Sequence, residues 1–365
     1  MSCEEPAPAA TAGASVTHWG VWLHAVRPPA ELAELAAAAE QRGAAAVLVA
    51  DEGTDRDLYV TLAALALRTR RVQLVAAVTN PFSRHPVATA AALASLAELA
   101  PGRVVAGFGA GGSRVLGPMD LTPERPFTAL RETLDIVDGL LDGQTVDRPG
   151  GAVSARGASL PWTTGRLPLA VGGRGPRVEA LAAERADWVL LAGRALGRVE
   201  GLVEHIRARA VAARGRPPVI AWNPMTGWTP AMADEVRSHL GYITVDLPAA
   251  DRAALGVDDE LTARLRRLVN SEGPAAAAGL VPQAVVDEFT ILGERDAVAA
   301  RLAGLRARLR PELLVFDAGD YSVSYLDELS ALAADAGAAP GPMSGRPNPR
   351  PDPLPDPLPD PFGGP

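Results

Sequence analysis

Polar residues directly follow several strand-like apolar runs of this sequence. His24 follows THWGVWL, Asp51 and Glu52 follow AAAVLVA, and Thr79 and Asn80 follow RVQLVAAV. Carboxylates and imidazoles can act as general acids or bases, and hydroxyl and amide groups can hold a ligand by hydrogen bonds. The pattern predicts an acid–base or ligand site. Two simpler interpretations stay open, because an aspartate can cap the following helix and a histidine in a turn can be purely structural.

Two glycine-rich loops follow later apolar runs and could hold a phosphate. GFGAGGSR contains Gly109, Ala110 and Gly111, and VGGRGPR contains Gly172, Gly173, Arg174, Gly175, Pro176 and Arg177. Glycines expose backbone N–H groups at a helix start, and arginines attract anions. The alternative is that the glycines only let a strand meet its helix tightly. Two such loops together with arginines favour a phosphorylated cofactor.

Composition excludes several other classes of function. The net charge of −8 argues against a nucleic-acid partner, and no apolar run reaches the roughly 18 residues of a membrane span. The N-terminus lacks the basic start and apolar centre of a signal peptide, so we predict a cytoplasmic protein. We predict no metal site, because Cys3 is the single cysteine and no two histidines are spaced i, i+4.

The elements that would position these residues alternate eight times between strand and helix. Such alternation predicts a parallel sheet covered by helices, and eight units fit a closed (β/α)₈ TIM barrel. An open doubly wound sheet is the alternative, but the first turn, HAVRPP, has no glycine. In such a barrel, the carboxyl ends of all eight strands lie at the same mouth. We predict a disordered N-terminus at 1–15, a barrel at 16–336 and a disordered Pro-rich tail at 337–365. Two insertions interrupt the barrel: a small hairpin at about 145–164, and several helices at about 229–296 that follow the seventh strand and would lie over the barrel mouth.

Several stretches, in this order, resemble the bacterial luciferase-like superfamily, and in particular its coenzyme F420-dependent branch with the methylenetetrahydromethanopterin reductases. They include VTNPFSRHP, GFGAG, LAVGGRGPRVEALAAERADWVLLAG and GLVPQAVVDEFTILGERDAVAARLAGLRARL. The resemblance implies the same barrel, with a non-prolyl cis peptide bond on the third strand behind the deazaflavin ring. Carried over to this sequence, that bond joins Ala77 to Val78.

The resemblance also implies roles for the strand ends. The phosphate arm of the cofactor would be held by Thr79, Asn80, the Gly109–Gly111 backbone and residues Gly172 to Arg177. Asp51 matches an aspartate near the ring, whereas Glu52 stands where a histidine is usual. Trp22 and Gly112 occupy places where the family has acids, which argues against a pterin substrate.

The predicted function is that of an F420-dependent oxidoreductase, which transfers a hydride between the deazaflavin and a small organic substrate. Asp51 is the first candidate for proton transfer and His24 the second, with Glu52 beside them. The aromatic residues that could line the pocket are Trp19, Trp22, Phe108 and Trp222, with the alternative that they are buried aromatics of the core. The alternatives are a monooxygenase that uses FMN supplied by a flavin reductase, and a non-catalytic flavin-binding barrel. Because relatives often dimerise, we expect a homodimer.

Overall fold

The computed structural model describes residues 16–343, except 164 and 320. Eight parallel strands close into a barrel in which each pairs with the next along the chain and the last pairs with the first. They are β1 (His18–Leu23), β2 (Ala46–Val49), β3 (Gln73–Ala76), β4 (Val104–Phe108), β5 (Leu169–Gly172), β6 (Trp188–Ala192), β7 (Val219–Asn223) and β8 (Leu313–Asp317). The predicted (β/α)₈ barrel is confirmed, and the open-sheet alternative is wrong.

A helix covers the barrel after each strand. The eight helices are Pro29–Gln41, Leu58–Arg68, Pro86–Leu99, Pro126–Leu141, Pro176–Arg185, Val199–Arg214, Arg295–Leu309 and Val323–Asp335. Four of them begin with proline, which suits the first turn because it lacks the N–H that has no partner there. Within the described part of the chain, no helix combines the length and apolar character needed to cross a bilayer.

Side chains on the strands alternate between two apolar layers. Leu48, Val75 and Val105 belong to the cluster inside the barrel, whereas the residues beside them in sequence pack outward against the helices. The outward layer includes Trp19, Phe108 and Trp222, each no more than 1% exposed. The prediction that these three aromatics line the pocket is therefore wrong.

Two insertions interrupt the alternation. A small antiparallel hairpin pairs Val146–Arg148 with Ala155–Ala158, in the stretch where a hairpin was predicted. After β7, the strand Met225–Gly227 pairs in parallel with Thr290–Leu292. The segment between these two short strands is helical and has its own apolar cluster, which includes Leu240, Leu265 and Phe289. Its helices are Pro230–Asp246, Ala249–Ala254, Asp259–Glu272, Pro274–Ala277 and Gln283–Phe289. We call Pro230–Asp246 the insertion helix.

The first residues of the predicted tail are folded against the barrel. The Ala339 N–H donates to the carbonyl of Thr17 at 2.7 Å, and the Gly341 N–H donates to that of Gly43 at 2.8 Å. Met343 packs against the cluster inside the barrel. Residues 337–343 therefore belong to the folded body. The rest of the predicted tail, 344–365, and the predicted N-terminal segment, 1–15, lie outside the described residues.

Candidate active-site cleft

A cleft of about 550 Å³ lies at the carboxyl ends of the barrel strands, under the insertion helix. It brings together most of the residues singled out in the sequence. Lining it are His24, Asp51, Glu52, Ala77, Val78, Thr79, Asn80, Gly109, Ala110, Gly111, Gly172, Gly173 and Arg174. Trp22 also lines it, unlike the other three aromatics. Gly175, Pro176 and Arg177 are not part of this lining; they form the start of the Pro176–Arg185 helix.

One wall of the cleft is the chain that leaves β3. The Ala77–Val78 peptide bond is cis, as the resemblance implies. Pairing with β4 resumes beyond it, because the Thr79 N–H donates to the Gly107 carbonyl at 3.0 Å. Asn80 then turns the chain: its Oδ1 accepts from the N–H groups of Phe82 and Ser83 at 2.9 Å. That amide oxygen therefore already serves the turn before Pro86.

Two of the predicted phosphate-binding glycines make room for a neighbouring side chain. A Cβ on Gly109 would lie 2.8 Å from Cγ2 of Val78, and one on Gly172 would lie 3.1 Å from its Cγ1. Val78 thus fills the space that a larger residue would need at either position. Packing explains these two glycines. Gly111, at a φ of 79°, has a backbone conformation that L side chains rarely adopt.

The arginines near the second glycine loop have different partners. Arg177 lies over the ring of Phe127, with its Cζ 4.1 Å from the centroid. Arg194 pairs with Glu179 at 2.6 Å and also donates to the carbonyl of Gly173, so it holds the loop in place. Arg174 lines the cleft and pairs with Asp246 at 3.4 Å. Only Arg174 of these three has its side chain available to an anion in the cleft.

Asp51 is held beside the Ala77–Val78 wall. Its Oδ2 accepts a hydrogen bond of 2.8 Å from the hydroxyl of Thr79, which is completely buried. Burial raises the pKa of Asp51, the nearby charges of Asp57 and Glu52 act in the same direction, and the Thr79 hydrogen bond opposes them. The capping alternative for Asp51 is wrong, because Asp57 caps the Leu58–Arg68 helix.

His24 stands at the other side of Glu52. Its Nδ1 lies 3.7 Å from Oε1 of Glu52, and its ring stacks on His239 with centroids 6.0 Å apart. The hydroxyl of Tyr321 binds the main chain of His24 twice, accepting from its N–H at 3.0 Å and donating to its carbonyl at 3.2 Å. Burial raises the pKa of Tyr321 to about 12, so the phenol stays protonated and can donate.

The insertion helix contributes a row of cleft residues that the sequence had not identified. They recur every three or four positions, as one face of a helix requires: Met232, Glu235, Val236, His239, Tyr242, Ile243 and Asp246. This spacing is readable in the sequence, but it mixes apolar and charged residues and so does not form the uniform apolar stripe of a packed helix. Tyr321 was missed too. Among the described residues, no group of three or more His, Cys, Asp or Glu side chains is arranged to hold a metal ion.

Comparison with known proteins adds relatives of similar length. The 5,10-methylenetetrahydromethanopterin reductase of Methanolobus tindarius is 29% identical over 282 residues, which cover 75% of this chain and 86% of the relative. The solved structure of the coenzyme F420-dependent tetrahydromethanopterin reductase from Methanopyrus kandleri matches with a TM-score of 0.73 at 22% identity, covering 86% of this chain and 97% of that one.

A second solved structure has the same fold. It is an F420-dependent secondary alcohol dehydrogenase in complex with an F420–acetone adduct, with a TM-score of 0.67 and 16% identity, covering 88% of this chain and 99% of that one. A family-level match extends over residues 12–310, from ahead of β1 to the end of the helix before β8. The barrel, the cleft at its mouth and this match lead to one conclusion: the chain belongs to the luciferase-like monooxygenase family.

Proposed function

We propose that this chain is a coenzyme F420-dependent oxidoreductase that transfers a hydride between the deazaflavin and a small organic substrate. The observation that best supports the proposal is the build of the cleft, in which the Ala77–Val78 main chain forms one wall and Arg174 is a cation beside a glycine loop. F420 dependence is also part of the names of the two solved structures that share this fold.

The lining fits such a cofactor at both ends. Val78, packed between Gly109 and Gly172, presents a small apolar surface on which a flat ring can rest. Arg174 would hold the phosphate arm. In the described part of the chain its guanidinium has one hydrogen-bond partner, Asp246 at 3.4 Å, which leaves most of its donors for a ligand. Gly111 and Gly173 also line the cleft.

The chain itself would supply orientation and a proton. When bound, F420 supplies or accepts a hydride at carbon 5 of its deazaflavin ring. Asp51 lies beside the wall, and its raised pKa keeps a proton on the carboxyl group at higher pH than for a free aspartate. Thr79 fixes the direction of that carboxyl group through the 2.8 Å hydrogen bond. We propose Asp51 as the group that exchanges a proton with the substrate.

The substrate would lie between the barrel mouth and the insertion helix. Met232, Val236 and Ile243 give that side apolar contacts, and His239 and Tyr242 offer hydrogen bonds. These side chains, together with Trp22 at a place where the family has an acid, favour a substrate other than a pterin. The insertion helix, rather than the barrel, would therefore set substrate choice.

Cofactor binding provides the first test. Purified protein is titrated with F420 and with FMN, and quenching of ligand fluorescence gives each Kd. We expect tighter binding of F420, and we expect Arg174→Gln to weaken it about tenfold or more, as loss of a charge-assisted phosphate contact does. Arg177→Gln is the matched control and should leave Kd within about twofold, because Arg177 packs on Phe127.

Turnover provides the second test. Reduced F420 is mixed with a panel of imines, enones and pterins, and reappearance of oxidised F420 absorbance is followed. Reduction of a non-pterin acceptor is the expected result. Binding of FMN but not F420 would instead favour the flavin monooxygenase, and tight F420 binding without reduction of any acceptor would favour the non-catalytic barrel.

A further inference from the structure

Acidic side chains outnumber arginines in the lining of the cleft. Five carboxylates lie among the described lining residues, whereas Arg174 is the one arginine there. The carboxylates are Asp51, Glu52, Glu235, Asp246 and Asp317. An anionic group of a ligand therefore has one favourable place in this cleft, and the carboxylate already at that place is Asp246.

The side chain of Arg174 is confined to the space between β6 and the insertion helix. A Cβ on Gly193, just after β6, would lie 3.2 Å from Nη1 of Arg174 and 2.7 Å from Cδ1 of Ile243. The guanidinium of Arg174 thus occupies the space beside Gly193 that a side chain at this position would need. Its Nη2 donates to Oδ2 of Asp246 at 3.4 Å. A ligand phosphate would have to meet Arg174 within reach of Asp246.

Asp246 occupies an unfavourable position in its own helix. It is the last residue of the insertion helix, where the helix dipole is negative and disfavours a carboxylate. Arg174 is the cation that offsets this charge. A phosphate on Arg174 would place a second, stronger negative charge beside Asp246, so the two anions would compete for one guanidinium.

We propose that Asp246 is an affinity- and specificity-determining residue, which weakens the hold of the cleft on phosphate-bearing ligands by competing with the phosphate for Arg174. The inference rests on the proposed function, because it assumes that the phosphate arm of the cofactor reaches Arg174. It adds that the insertion helix, through its last residue, takes part in cofactor binding as well as in contacts to the substrate.

The experiment compares ligands with and without a phosphate. Kd is measured by fluorescence for F420, FMN and riboflavin, with wild-type protein and Asp246→Asn. We expect Asp246→Asn to bind F420 and FMN about threefold to tenfold more tightly, the effect of removing one repulsive charge at a partly exposed site. Riboflavin, which has no phosphate, should bind both proteins equally. The gain for F420 and FMN should shrink in 0.5 M salt, because screening reduces the repulsion.

Two further variants separate this effect from a general change of charge. Glu235→Gln removes another lining carboxylate from the same helix, three turns away from Asp246, and should change the Kd of F420 less than twofold. In an Arg174→Gln background, Asp246→Asn should lose most of its effect, because the competition requires the guanidinium. Melting temperatures of all variants confirm that each is folded.

The outcomes separate the inference from the proposed function. If the wild type binds F420 but Asp246→Asn binds it equally or more weakly, Asp246 does not compete with the phosphate, and the inference is overturned while the function stands. Equal tightening by Glu235→Gln also overturns it. If neither wild type nor any variant binds F420, the proposed function fails and takes the inference with it.

Discussion

Burial raises the pKa of Asp51, and this residue therefore links stability to pH. The folded state holds the Asp51 proton more tightly than the unfolded chain, whose aspartates titrate near pH 3.9. The free energy of unfolding should therefore lose this contribution as pH rises from about 4 through the raised pKa. Asp51→Asn removes the titrating group, so its stability relative to wild type should rise between pH 4 and pH 8.

Urea unfolding of both proteins at several pH values measures this difference. Absolute stabilities will change with pH in both because other groups titrate, so the quantity to follow is the wild-type–variant difference. A difference that stays constant across the range would contradict the prediction. It would mean that Asp51 acts only as a fixed hydrogen-bond acceptor for Thr79.

Tyr321 fixes the main chain at the end of β1. Its hydroxyl makes both hydrogen bonds to His24, and Tyr321 itself has a φ of 58°, in the left-handed region. Tyr321→Phe removes both bonds and leaves the His24 N–H without its acceptor, so we expect a loss of about 1 to 3 kcal/mol in unfolding free energy.

Hydrogen exchange locates that effect. The His24 amide should exchange at least about tenfold faster in Tyr321→Phe, whereas the Val21 amide, which is in the middle of β1, should keep its protection. If both amides accelerate equally, the variant has lowered global stability, and the specific role of Tyr321 at His24 would be wrong.

At the scale of elements, Val78 determines how closely β3, β4 and β5 approach at the cleft. Gly109→Ala would put a Cβ 2.8 Å from a methyl of Val78, and we expect a cost of about 1 to 3 kcal/mol from overpacking. Gly112→Ala is the matched control. A Cβ there meets nothing within 4 Å, so its stability should stay within about 0.5 kcal/mol of wild type.

A double-mutant cycle tests the cause. Val78→Ala removes the methyl groups that the new Cβ would meet, so Gly109→Ala should cost clearly less in that background, with a coupling of at least about 0.5 kcal/mol. Thermal and urea unfolding of the four proteins give this value. Additive effects would show that Gly109 is needed for a reason other than Val78.

At the scale of the whole molecule, residues 337–343, which follow the last helix, pack at the amino-terminal end of the barrel strands. Deleting 337–365 removes the Ala339 and Gly341 hydrogen bonds and the packing of Met343, whereas deleting 344–365 leaves them in place. We expect the longer deletion to lower Tm by a few degrees, since a loss of 1 kcal/mol lowers Tm by about 1 to 2 °C in a domain of more than 300 residues. The shorter deletion should change Tm by no more than about 1 °C, because its Pro-rich composition gives little to pack.

Differential scanning calorimetry of the two truncated chains and the full chain makes the comparison. If both truncated chains melt at the same temperature as the full chain, neither segment contributes to stability. If both melt below the full chain by the same amount, the stabilising contribution comes from the segment after Met343 and not from residues 337–343.

The sequence alone determined the barrel and the end of it that holds the cleft. The side-chain periods of strands and helices differ, so the alternation of strands and helices can be recognised in the sequence. In a parallel barrel the carboxyl ends of all strands lie at one mouth. For this reason the sequence alone predicts that His24, Asp51, Thr79 and Gly109 lie close together. The same logic placed the insertion after β7 over that mouth.

Only the tertiary structure decided what each residue does there. Barrel strands are apolar on both faces, so the sequence does not show which alternate residues point inward, and Trp19 and Trp22 could not be told apart. Likewise, the sequence does not distinguish the roles of Arg174 and Arg177. In the structure the Arg174 side chain pairs with Asp246, whereas that of Arg177 lies over the ring of Phe127. Such choices depend on contacts between residues far apart in the chain, and local sequence does not encode those contacts.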